Sequence, residues 1–237
     1  MKKLNKMDEL KTFQKNLNLN FKDLNLLKIA LTHRSYLNEK ASVKVSNERL
    51  EYLGDAVLEL LVSDHLYTTY SDRAEGELTS LRSATVKTET LASTARKLDY
   101  GKFILMSKGE ESTGGRDKDY ILANTFESVL GAIYIDKGLP KCKAFLKRVL
   151  FPLIQNIVDN RLDIDPKTQF QEISQDIYKL TPTYELKSET GPDHEKIFLM
   201  TVYIGDKEFG TGTGPSKQKA EEDAAKKALK KIKLLKQ

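Results

Sequence analysis

Apolar positions recur about every 3.6 residues through most of residues 8–158. The period runs through FKDLNLLKIALTH, through the segment from Glu48 to about Tyr70, and through GELTSLRSATVKTETLASTARKL. It continues in DYILANTFESVLGAIYIDKG and PKCKAFLKRVLFPLIQNIV. That spacing puts the apolar side chains on one face of a helix, so each segment is expected to be helical. Gly, Ser and charged residues cluster in LNEKASVKVS, YSDRAEG and SKGEESTGGRDKD, where helices are expected to end. No convincing strand alternation interrupts this half of the chain.

The pattern changes at NRLDIDPKTQ. Asp165-Pro166 punctuates the chain and opens a helix, with Pro in its first turn. PKTQFQEISQDIYK reads as that helix. TPTYELKSETG alternates, with Tyr184 and Leu186 on one face, and EKIFLMTVYI is rich in β-branched and aromatic residues. Gly205-Asp206-Lys207 makes a turn, and EFGTGTG returns as a third strand. A long helix, PSKQKAEEDAAKKALKKI, carries Ala220, Ala224, Ala228 and Ile232 every four residues, a small-residue stripe that lets it lie close on a sheet. The expected organisation is two domains of α plus α/β class. An all-helical domain over residues 8–158 and a linker over 159–164 lead to a compact α-β-β-β-α module over 165–233.

Composition narrows the partners. No apolar run reaches the roughly 18–20 residues of a membrane span. No apolar core or small-residue cleavage site follows the basic start MKKLNKMDELKTF, so neither a membrane partner nor export is expected. Cys142 is the sole cysteine, which excludes an intramolecular disulfide and a cysteine-rich zinc site and suits the cytoplasm; its expected role is packing or surface filler. The formal net charge is +5. Residues 216–237 hold eight lysines against three acids, so this one segment carries as large a surplus as the whole chain. One end is suited to anions.

Another stretch is suited to cations. In NERLEYLGDAV, Glu48, Glu51 and Asp55 stand three and four residues apart, on one face of a helix that is otherwise largely apolar. Like charges at that spacing repel, and a divalent metal would relieve them. Asn124 and Glu127 in ILANTFESVLGAIYID are again three apart on one face, and Glu75 in RAEGELTSLRS is a further carboxylate. Gly54, beside Asp55, leaves room for a close neighbour or substrate. Spacing alone does not separate a metal site from a solvated acidic face. Two acidic helices facing each other would.

The C-terminal module carries its own chemistry. Gly214-Pro215-Ser216-Lys217-Gln218-Lys219 sets a helix N-terminus beside two lysines, an arrangement suited to phosphates. Thr168, Gln171 and Glu172 on the opening helix suit 2′-hydroxyls and base edges in a shallow groove. Gly191-Pro192-Asp193-His194 is an exposed tip between strands.

GTGPSKQKAEEDAAKKAL resembles the last strand and second helix of the double-stranded RNA-binding domain. By that resemblance Ser216, Lys217, Gln218 and Lys219 grip phosphates across the major groove, Thr168, Gln171 and Glu172 touch one minor groove, and His194 the next. NERLEYLGDAVLEL, ILANTFESVLGAIYID, ALTHRSYLNE and AEGELTSLRSATV resemble motifs of the bacterial ribonuclease III family, and the resemblance covers essentially the whole chain. It implies a homodimeric endoribonuclease that hydrolyses double-stranded RNA with Mg2+, Mn2+ being a possible substitute, and with no small-molecule cofactor. The products it implies have 5′-phosphate and 3′-hydroxyl ends with short 3′ overhangs, and precursor rRNA and structured mRNA are the implied substrates. Glu51, Asp55 and Glu127 match the metal ligands, with Asn124 at the fourth position. Asp55, Glu127, Glu48 and Glu75 are the implied catalytic acids, and Tyr52 stands where the family has an aromatic residue that plugs into the partner subunit. Asn124 departs from the pattern, since the family has Asp there. Asn keeps a carbonyl oxygen but loses the charge, which leaves open a tolerated natural variant, a ligand position of lesser weight, or an introduced inactivating change, and with it the alternative of a catalytically weakened or inactive double-stranded RNA-binding protein.

Overall fold

A computed structural model describes residues 6–40, 42–192 and 195–235. The chain divides into two compact units between Asp163 and Ile164. The first is helical: α1 (Lys6–Asn16), α2 (Leu24–Ala30), α3 (Tyr36–Glu39), α4 (Glu48–Thr69), α5 (Glu75–Val86) and α6 (Thr88–Lys97). Helices α7 (Lys108–Ser112), α8 (Asp119–Lys137), α9 (Leu139–Val149) and α10 (Phe151–Asp159) follow.

Helix α8 is the axis of this unit. From Ile121 to Ile133 nearly every side chain is buried, with Asn124 and Glu127 the partly exposed exceptions. Cys142 on α9 is fully buried against it, its thiol directed at the Leu130 carbonyl at 3.7 Å, so this cysteine packs rather than reacts. At the far end of α8, Asp136 accepts the backbone N–H groups of Lys22 and Asp23 at 2.9–3.2 Å and so ties down the α1–α2 connection.

Two segments that read as continuous helix are broken. Lys87 adopts extended backbone (φ −61°, ψ 151°), ending α5 and starting α6. Thr90 stabilises the corner by donating its hydroxyl to the Ala84 carbonyl at 2.9 Å. Between α9 and α10 the break falls at Leu150, where Pro152 enters the first turn of the next helix without an N–H to continue the previous one.

The second unit comprises α11 (Pro166–Tyr178), a three-stranded antiparallel sheet of β1 (Thr183–Thr190), β2 (Ile197–Ile204) and β3 (Lys207–Gly214), and α12 (Lys217–Leu235). Asp165 caps α11 by accepting the N–H groups of Lys167 and Thr168 at 2.9 and 3.2 Å. Strand β1 slips register between Leu186 and Ser188; Lys187, the extra residue, lies over the Tyr203 ring. The alanine stripe of α12 meets a matching stripe on β3. A Cβ on Gly212 would sit 2.1 Å from the Ala224 nitrogen, and one on Gly210 or Gly214 would also reach the α12 backbone within 3 Å. Helix and sheet therefore touch backbone to backbone, closing a small core around Phe170, Val202 and Phe209.

Candidate active site

The acidic helices face each other because glycines let their backbones touch. A Cβ on Gly54 of α4 would lie 1.8 Å from the Glu127 carbonyl oxygen of α8, and one on Gly131 would lie 2.2 Å from the Leu50 carbonyl oxygen. No other residue fits either position, so the crossing holds the Glu51–Asp55 turn of α4 against the Asn124–Glu127 turn of α8. The sequence marked Gly54 as room for a neighbour; the neighbour is the backbone of Glu127 itself.

Electrostatics report the same proximity. Partial burial is the main reason the Glu127 carboxyl is pushed up from 4.5 to about 8, and the negative fields of Asp55, Glu51 and Glu59 add to it. Glu51 is also raised, first by burial and then by Glu48 and Asp55, while a hydrogen bond from the Asn124 side chain opposes the shift. Glu48 is exposed, accepts the Ser46 hydroxyl at 2.8 Å and has the Arg34 guanidinium at 3.8 Å. The structure thus gathers Glu48, Glu51, Asp55, Asn124 and Glu127. Glu75 is exposed at the start of α5, accepts the Thr79 hydroxyl at 3.1 Å, and is not among the groups whose fields act on Glu51 or Glu127.

Among the described residues no group of three His, Cys, Asp or Glu side chains forms a ready-made ligand cage. The donors still fit a hard divalent cation. All are oxygens, and besides burial the negative fields of Asp55, Glu51 and Glu59 converge on the Glu127 carboxyl, a charge that such a cation would neutralise.

One consequence concerns pH. In the folded, metal-free chain Glu127 keeps its proton up to about 8, whereas the unfolded chain loses it near 4.5. The folded state binds the extra proton between these values, so this contribution to stability is complete below about 4.5 and is lost as pH rises through about 8. Melting curves in chelator should show Glu127→Gln gaining stability relative to the parent chain between pH 5 and pH 8. A difference that stays flat with pH would remove the raised Glu127 from the account.

The stripe extends further than the sequence reading took it. Glu59, four residues after Asp55, belongs to the same face, and Arg82 on α5 neutralises it at 3.0 Å while donating to the Ser63 hydroxyl at 3.1 Å. The i, i+4 spacing from Asp55 was the available signal. The same α4 helix exposes Tyr52, at 83%, together with Leu60 and Tyr67, so Tyr52 is not a core residue.

In the second unit Thr168, Gln171 and Glu172 are exposed on α11, and Ser216, Lys217, Gln218 and Lys219 are exposed at the start of α12. The Ser216 hydroxyl accepts the Lys219 N–H at 3.2 Å, and the Gln218 and Lys219 side chains both donate to Glu222, at 3.4 and 2.8 Å. His194 lies outside the described residues.

A crossed pair of acidic helices in one unit and an α-β-β-β-α module in the other define a two-domain nuclease that carries its own RNA-binding domain. A ribonuclease-III-like family model matches residues 23–154, and a double-stranded RNA binding motif matches residues 166–232. Ribonuclease 3 of Borreliella afzelii is 45% identical over 94% of this chain and 91% of that protein. Ribonuclease 3 of Streptococcus pneumoniae is 44% identical over 95% of this chain and 97% of that protein. A solved structure of the nuclease domain of ribonuclease III from Campylobacter jejuni, reported with structural flexibility in a region involved in dimer formation, matches with a TM-score of 0.56 and 42% identity over 60% of this chain and 99% of that one. The chain belongs to the ribonuclease III family, a family of endoribonucleases. No helix among the described residues is long and apolar enough to cross a membrane.

Proposed function

We propose that this protein is a Mg2+-dependent endoribonuclease that hydrolyses phosphodiester bonds of double-stranded RNA. In this reading it acts in the cytoplasm on precursor rRNA and structured mRNA, leaving 5′-phosphate and 3′-hydroxyl ends with short 3′ overhangs. The observation that carries the reading is the glycine crossing that presses Glu127 against the acidic turn of α4.

Glu51, Asp55, Glu127 and the Asn124 carbonyl would hold the cation, with Mn2+ able to take its place. When bound, the metal supplies charge neutralisation for the phosphoryl oxygens and an ionised water as nucleophile. The protein's own residues do the rest. Glu127 would give up its proton to serve as a ligand. Ser46 and Arg34 hold Glu48, whose field reaches Glu51. Glu75, at the start of α5, would be a supporting acid by the family resemblance alone. Thr168, Gln171, Glu172 and His194, with Ser216, Lys217, Gln218 and Lys219, would contact the duplex by shape rather than sequence.

Tyr52, Leu60 and Tyr67 form an exposed apolar stripe along α4. A large apolar stripe bordering an acidic face suits a second copy of the same chain. Tyr52→Asp should convert a dimer to a monomer in sedimentation equilibrium, and a parent chain that is itself monomeric at micromolar concentration would rule out this interface.

Asn124 supports a second reading, in which the missing charge leaves a weakened or inactive RNA-binding protein. Asn124→Asp separates the two. It removes the amide donor to Glu51 and adds a carboxylate, so the Mg2+ concentration for half-maximal cleavage should fall several-fold with duplex binding unchanged. Cleavage that appears only in the Asp variant would favour the inactive reading.

A further inference from the structure

We propose that a cleft at the C-terminal end of α8 binds a nucleotide, a ligand that no part of the nuclease reading requires. The cleft encloses about 450 Å3 between the α1–α2 connection and the helices α8 and α9. That volume lies within the range of roughly 300–1,000 Å3 common for small-molecule sites. Lys137 of α8 stands ten residues beyond Glu127, about 15 Å along the helix, so the cleft is separate from the carboxylate group.

Its lining divides by chemistry. Lys137, Lys141 and Arg148 are cations, and among the described residues no carboxylate lines the cleft. The adjacent Asp136 offsets only one of them: it holds Lys137 at 3.4 Å and spends its oxygens on the N–H groups of Lys22 and Asp23. Arg148 is fixed in place, donating to the Leu17 carbonyl and lying 5.7 Å over the Phe145 ring. Leu19, Ile133, Ala144 and Phe145 supply the apolar part of the lining, and the Asn18 and Asn20 amides supply both donors and acceptors.

Each part selects against simpler ligands. A bare phosphate would satisfy the lysines but leave the apolar part of the lining uncovered. A duplex presents its phosphates on a convex surface and would reach only the rim. A nucleoside diphosphate matches all three parts. Its phosphates would meet Lys137 and Lys141, its sugar and base would cover the apolar part of the lining, and its base edge would pair with the asparagine amides.

The test is calorimetric titration of the full chain with ADP, GDP, inorganic phosphate and a 12-base-pair RNA duplex. A nucleoside diphosphate should bind at one site per chain, at least tenfold tighter than inorganic phosphate. Lys141→Glu should weaken it at least tenfold, as should Ala144→Trp, which fills the cleft without touching its charges. Duplex binding and cleavage should be unchanged in both variants. No saturable nucleotide binding would overturn the proposal. So would phosphate binding as tightly as the nucleotide, which reduces the cleft to an anion subsite. Parallel loss of duplex binding in Lys141→Glu would assign the surface to RNA instead.

Discussion

Glu127→Gln is expected to lower the rate of duplex RNA cleavage by at least about 10²–10³-fold while leaving duplex affinity within about twofold, the scale seen when one preorganised electrostatic group is removed from an active site. The substitution is nearly isosteric and keeps a carbonyl oxygen, so the α4–α8 crossing survives. It removes the carboxylate that sits deepest among the acids, the one whose proton affinity is raised to about 8 by its burial and by Asp55, Glu51 and Glu59. The RNA-binding surface belongs to a separate compact unit, so binding should not follow activity down. Single-turnover cleavage and filter binding on one preparation check both halves. Loss of binding in step with cleavage would mean that Glu127 supports the fold rather than the chemistry.

Gly54→Ala is expected to be the most damaging single substitution in the helical unit. The added methyl would lie 1.8 Å from the Glu127 carbonyl oxygen and 2.9 Å from the Gly131 nitrogen. Both obstacles are backbone, so no side-chain rotation relieves the clash. The two helices must separate, and the apolar contacts between them go with the shift. Overpacking of this kind costs about 1–3 kcal/mol and sometimes more. A melting temperature lower by several degrees and loss of cleavage should appear together. Gly76→Ala is the matched control. A methyl there meets nothing within 4 Å, and in a helix Ala is better than Gly by about 0.5–1 kcal/mol. If both substitutions were equally mild, the crossing would not be what sets Glu127.

Most of this architecture is written in local pattern. The 3.6-residue apolar period marked the long helices of the first unit but not the short α7, which forms inside SKGEESTGGRDKD, a stretch that reads as a break, because the Ser107 hydroxyl caps it by accepting the Glu110 N–H; alternation, β-branched residues and turns marked the three strands of the second. Asp165-Pro166 announced α11 through its cap, and the alanine stripe foretold a helix lying close on a sheet. The break at Leu150 had a visible cause in Pro152, whereas the corner at Lys87 has neither Gly nor Pro and depends on the Thr90 hydroxyl reaching back to Ala84. The site was legible as a set of residue types but not as a pairing. Nothing local in α4 or α8 says that Gly54 and Gly131 meet, because that contact is made by two positions lacking a Cβ and far apart in the chain. The Arg82–Glu59 pair was hidden for the same reason, since its partners lie on different helices. Glu75 shows the converse. Resemblance places it with the catalytic acids, while the structure leaves it exposed at the start of α5 and bonded to its own Thr79.

Cleavage itself is the most direct test. End-labelled duplex RNA incubated with the purified protein in Mg2+, and separately in Ca2+, can be resolved on a denaturing gel. Staggered cuts on the two strands are expected with Mg2+ and intact RNA with Ca2+, with Asn124 in place. Duplex bound but uncut at high Mg2+, and uncut with Mn2+ as well, would contradict the proposed function and leave an RNA-binding protein whose acidic crossing performs no hydrolysis.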